Sequence, residues 1–166
     1  MRVFLTLCAT ALTLWVSAQK ANDTDAIHHL LNTWHENAAK GNGDAYIAAM
    51  TDDGVFIGTD ATEYWTREAF WKFAEPYFKK GAAWDFKPLK RHVYLSADGK
   101  IAWFDEVLDT WMELCRGSGV LIRQADGSWK IAHYVLSVTV PNDVVDDVIK
   151  VKHNIETKQK DVIKSQ

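Results

Sequence analysis

The stretch Arg123-Gln124-Ala125-Asp126-Gly127-Ser128-Trp129-Lys130-Ile131-Ala132-His133-Tyr134-Val135-Leu136-Ser137 decides the fold. Asp126-Gly127 is a strong two-residue hairpin signal, because a type I′ turn needs positive φ at both central positions. Apolar and aromatic residues flank it on both sides, so two long antiparallel strands meet there. The second strand carries Trp129, Lys130, His133, Tyr134 and Ser137. A strand that mixes large aromatics with polar groups can line a site as well as a core.

Outward from this hairpin the period stays at two. Strands are predicted over residues 84–95, 101–114, 119–124 and 129–140. Asp98-Gly99 turns the first pair, and Arg116-Gly117-Ser118 turns the middle pair. Upstream the period is helical. Residues 23–40 follow a cap at Asp23, Thr24 or Asp25, place Ile27, Leu30, Leu31, Trp34 and Ala38 on one face, and stop at Gly41. A short helix follows Asp44. Asp52-Asp53-Gly54 then turns into a strand at Val55-Phe56-Ile57, and residues 58–66 read as a polar-aromatic loop. A third helix covers 67–80, with Phe70, Trp71, Phe73, Ala74 and Phe78 inward. Helices followed by an antiparallel meander define an α+β domain with helices on one face of a curved sheet. After Pro141-Asn142, Val144, Val148, Val151, Ile155 and Val162 fall near heptad spacing and read as a C-terminal amphipathic helix. Its β-branched residues give weak intrinsic helicity, so it needs a surface: its own domain, or a partner helix in a dimer.

The chain has 166 residues, 48% of them apolar and 25% charged, which is ordinary globular composition for one domain. The net charge of −3 with no basic block argues against a nucleic-acid partner. Residues 1–18 read as a secretory signal peptide: Arg2, an apolar run to Val16, then Val16-Ser17-Ala18 before Gln19. The alternative is an apolar N-terminal helix. The run is short for a membrane span. The expectation is therefore a periplasmic or secreted protein, with no membrane attachment after signal removal. The domain is expected over 19–141 and the C-terminal helix over 142–166. Cleavage removes Cys8 and leaves Cys115 without an internal disulfide partner.

Two motifs carry a family resemblance. Phe56-Ile57-Gly58-Thr59-Asp60, then Glu63-Tyr64-Trp65 and Arg67-Glu68, resembles the loop before the third helix of SnoaL-like proteins. Gly127-Ser128-Trp129-Lys130-Ile131-Ala132-His133, with Ser137 and Pro141-Asn142, resembles their last strand. The resemblance spans about residues 23–142 and places the chain in the nuclear transport factor 2-like superfamily. It implies a cone-shaped half-barrel closed by helices, an apolar pocket on the inner face, and a homodimer through the outer face. Ketosteroid isomerase-like chemistry on this fold uses a base carboxylate, a tyrosine and an acid. The corresponding positions hold Gly58, Trp34 and the Gly119-Val120 pair, so that activity is not expected.

Other residues are candidates for chemistry. Glu106 shares a strand face with Ala102, Phe104, Leu108 and Met112, where an apolar setting would raise its pKa and suit it to acid–base work. The alternative is an ion pair with Arg123 or Arg116. His133 is its candidate catalytic partner if it faces the pocket, and a dimer-interface residue if it faces out. Trp34, Asp60, Trp65, Phe104, Arg123 and Tyr134 are the candidate ligand-binding residues. Zinc spacing, glycine-rich phosphate loops and nucleophile elbows are absent from the sequence, so neither metal nor cofactor is expected. The leading expectation is an exported domain binding a small, mostly apolar molecule in an aromatic pocket, with isomerase-, lyase- or cyclase-type chemistry open. The alternative is a non-catalytic dimerisation or interaction module.

Overall fold

The computed structural model describes the backbone of residues 3–165 and the side chains of residues 21–165. The signal-peptide expectation falls on residues 1–18, whose side chains lie outside the described residues. Helix α1 is Val3–Ala39, α2 is Gly43–Ala48, β1 is Met50–Ile57, β2 is Tyr64–Thr66 and α3 is Arg67–Phe78. The meander follows as β3, Lys87–Leu95; β4, Ile101–Thr110; β5, Glu113–Arg123; and β6, Trp129–Val138. A 3₁₀ turn at Asn142–Val144 leads into α4, Val145–Lys164.

The six strands form one sheet in the order β2-β1-β6-β5-β4-β3. It is a curved, unclosed, mixed sheet, because β1 runs parallel to β6 while every other pair is antiparallel. The α+β cone expected from the sequence is therefore present, with one parallel pair in it. The core lies between the inner sheet face and the helices. Ile27, Leu31, Trp34 and Ala38 of α1 are buried in it. Trp34 stacks on Tyr46 with centroids 4.7 Å apart, meets Tyr134 edge-on, and donates its Nε1–H to the Tyr46 carbonyl at 3.1 Å. That bond supplies the partner a buried indole N–H requires.

Three local expectations need correction. First, the middle turn is at Trp111-Met112, not at 116–118. Thr110 Oγ1 accepts from Met112 N–H at 2.9 Å and donates to the Glu113 carbonyl at 2.9 Å, and Glu113 takes φ 64°. Gly117 and Gly119 lie inside β5 because bulky groups press against its backbone there. A Cβ on Gly117 would come within 2.8 Å of Glu106 Oε1, and one on Gly119 within 2.8 Å of the Phe104 ring. Second, the two Asp-Gly hairpins are not type I′. Only the glycines, Gly99 and Gly127, have positive φ, while Asp98 and Asp126 accept from the following main chain as Asx caps. Third, β2 occupies part of the expected 58–66 loop, and Thr66 caps α3 by accepting from Ala69 N–H at 3.3 Å.

Candidate ligand cavity

A β-bulge decides which residues of β6 face inward. Val120 pairs with His133 but Leu121 pairs with Ile131, so Ala132 is the extra residue. Strict alternation along β6 would put His133 on the face of Trp129 and Ile131. With the bulge, Trp129, Ile131, Tyr134 and Leu136 all point into the core. His133 precedes buried Tyr134, so it faces the outer side of the sheet. Glu106 and His133 are thus on opposite faces and do not come together.

Glu106 is fully buried. Its partners are neither Arg116 nor Arg123. His35 Nε2 lies 2.8 Å from Oε1, and Tyr134 Oη donates to the same oxygen at 3.2 Å. An ionised carboxylate only accepts, so the His35 proton sits on Nε2. Arg91 Nε donates to Oε2 at 2.7 Å. Arg91 Nη2 is also 2.7 Å from Oε2 but makes no aligned hydrogen bond, so that approach is attraction between charges. Arg91 Nη1 anchors the group to α1 through Asn32 Oδ1 at 2.8 Å and the His28 carbonyl at 3.3 Å. Burial alone would push the Glu106 carboxyl up. The bond and charge of His35 and those of Arg91 outweigh it and hold the carboxyl below the usual glutamate range, opposite to the raised value expected from the sequence. Burial, reinforced by the Glu106 charge, pushes the Tyr134 phenol well above the ordinary range, so it stays a donor.

Beside this network lies a cavity of about 480 Å³. Strands β1, β2 and β6 supply Phe56, Trp65 and Leu136 to its wall. Helix α3 supplies Phe70, Phe73 and Tyr77, and the chain after it supplies Ala83, Trp84 and Phe86. The β4–β5 turn adds Met112 and Trp111, the latter 80% exposed, and the loop after β1 adds Gly58, Thr59 and Glu63. The rings brace one another: Phe56 stacks on Phe70 at 4.0 Å, and Trp65 on Phe73 at 4.8 Å. A cavity of this size, largely apolar with few polar groups, is the usual form of a small-molecule site.

Of the sequence candidates, Trp65 lines this cavity. Trp34, Phe104 and Tyr134 are buried in the core, and Glu106 sits there with them. Asp60 is exposed next to the cavity loop; Thr62, by side chain and backbone, and then Gln159 of α4 hydrogen-bond its carboxylate and hold it below its ordinary range. Arg123 pairs with Asp23 and lies over the Trp129 ring at 5.3 Å, by a different cleft. Sequence reading missed His35 and Arg91. His35 lies eight residues after Ile27 and four after Leu31, on the apolar face of α1, and Arg91 pairs in register with Glu106. Among the described residues no three metal-ligating side chains cluster, and no helix is long and apolar enough to cross a membrane.

A helix-closed, half-open sheet around an aromatic cavity is a cone-shaped α+β domain of the nuclear transport factor 2-like kind. The SnoaL-like domain model matches residues 27–141, and the chain belongs to that family. Solved structures agree in fold. A nuclear transport factor 2-like protein of unknown function from Pseudomonas putida KT2440 superposes with a TM-score of 0.60 at 16% identity, covering 75% of this chain and 92% of that one. A protein from Novosphingobium aromaticivorans carrying the provisional name scytalone dehydratase gives 0.61 at 12% identity, covering 75% and 89%. A provisionally named ketosteroid isomerase from Shewanella frigidimarina gives 0.54 at 18% identity, covering 68% and 94%. No match was found among curated proteins.

Proposed function

We propose that this SnoaL-like protein is exported and binds a small, mostly apolar molecule in the aromatic cavity. The observation that carries the reading is the cavity itself: about 480 Å³, with eight aromatic residues in its wall. The buried Glu106–His35–Arg91–Tyr134 network acts behind the wall as a positioning element, tying α1 to β3, β4 and β6. Within this reading an acid–base step falls to Glu63, the carboxylate that lines the cavity. The isomerase and dehydratase names of two structural neighbours are in keeping with such a step. The outer sheet face supports a homodimer: Tyr94 stacks on Trp103 at 5.8 Å, and both, with Ile101, are nearly half exposed.

A thermal-shift panel of small apolar molecules tests the reading. A saturating ligand at 100 times its Kd stabilises by about 2.7 kcal/mol. At about 2–4 °C per kcal/mol for this size, the midpoint rises by about 5–11 °C. Ala83→Trp, which fills the cavity, should remove the shift while leaving circular dichroism unchanged. Equal shifts in both proteins would refute the site.

A further inference from the structure

We propose that the cavity's ligand carries a quaternary or tertiary ammonium head on its apolar body; this rests on the binding reading above and names its chemical class. Eight of the fourteen lining residues are aromatic, and none is Lys, Arg or His. Ring faces are negative, so beyond the apolar contact that any ligand body makes, the wall attracts a cation. Glu63 adds the wall's one carboxylate. Its Oε2 accepts from Asp60 N–H at 3.1 Å, and it makes no ion pair among the described residues.

Gly58 lets this carboxylate fold over the chain, because a Cβ there would overlap Oε2 and come within 3.0 Å of the Glu63 Cβ. The side-chain acceptors in the wall are few: Glu63, the Thr59 hydroxyl and the Tyr77 hydroxyl. A primary ammonium would need three of these acceptors to converge on one nitrogen, whereas a fully alkylated one needs none. The rings already take a cation in this structure: Lys80 Nζ lies 5.7 Å from the centroid of Tyr77, at the exposed end of α3. The ligand's charge belongs at Glu63, the carboxylate of the wall, away from the Lys80 ammonium.

The test compares phenyltrimethylammonium with tert-butylbenzene, which share a shape and differ in charge, by calorimetry and tryptophan quenching on the full chain. The ammonium should bind about tenfold more tightly, in line with a desolvated cation–aromatic contact. Glu63→Gln, whose amide oxygen still accepts from Asp60 N–H, should cut that preference severalfold without weakening tert-butylbenzene. Equal or tighter binding of tert-butylbenzene would overturn the ammonium inference and leave the apolar-ligand reading standing. Binding of neither probe by folded protein would overturn both.

Discussion

Glu106→Gln tests the buried network most sharply. The carboxylate receives three donors: His35 Nε2–H and Tyr134 Oη–H on one oxygen, Arg91 Nε–H on the other. A glutamine supplies one acceptor oxygen and an NH₂ that is itself a donor. Turned either way, the NH₂ meets a donor. The easier choice puts it toward His35 and Tyr134, where the ring and the hydroxyl can turn away. The Arg91 side chain, only 4% exposed, then faces an amide in place of a carboxylate. Removing one partner of a buried ion pair costs about 3–5 kcal/mol. Adjustment at His35 and Tyr134 places the expected loss near the lower end, a midpoint drop of about 6–12 °C at this chain length. Urea unfolding followed by circular dichroism at pH 7 measures it. The double variant Arg91→Met with Glu106→Leu should lose less than Glu106→Gln, because no charge is then left unpaired. A loss under about 1 kcal/mol for the single variant, or a double variant at least as damaged, would refute the reasoning.

The same carboxylate sets an acid limit. Its folded pKa lies below its unfolded value of about 4.3, so its stabilisation is complete above that pH and is lost as pH falls through the folded value. Unfolding free energy measured from pH 6 to 3 should fall in the wild type and fall less in Glu106→Gln. Gly119→Ala should cost about 1–3 kcal/mol or more, since its Cβ would overlap the His133 carbonyl oxygen of β6 and press on the Phe104 ring; an unchanged melting midpoint would contradict that packing. Truncation after Asn142 should leave the protein dimeric in solution, because the outer sheet face makes the proposed dimer; a monomer would move the interface to α4. N-terminal sequencing of the protein purified from a secreting host should begin at Gln19; retention of residues 1–18 would remove the export proposal.

Patterns with one local cause were legible in the sequence. The apolar spacing of α1 and α3, and the Asp-Gly hairpins, follow from helical periodicity and glycine conformation alone. The turn at Trp111-Met112 was not, because it lacks glycine, proline and asparagine and is held by one threonine hydroxyl. Gly117 and Gly119 misled for the opposite reason: a glycine that admits a neighbouring side chain reads in sequence like one that turns the chain. The bulge at Ala132 has no sequence signal, yet it reverses the face of His133 and so separates it from Glu106. The site shows the same division. Trp65 stood out because its loop resembles a family motif, whereas Glu63 of the same motif was not among the candidates. Trp84, Phe86 and Trp111 come from segments that meet only in the folded cone.

Fluorescence titration with N-phenyl-1-naphthylamine, a neutral apolar probe, tests the central claim most directly. Trp65, Trp84 and Trp111 line the cavity, so a probe bound there should quench tryptophan emission with saturable 1:1 stoichiometry. That behaviour is expected in the wild type and is lost in folded Ala83→Trp. Absence of saturable binding, or identical titration of the two proteins, would contradict it.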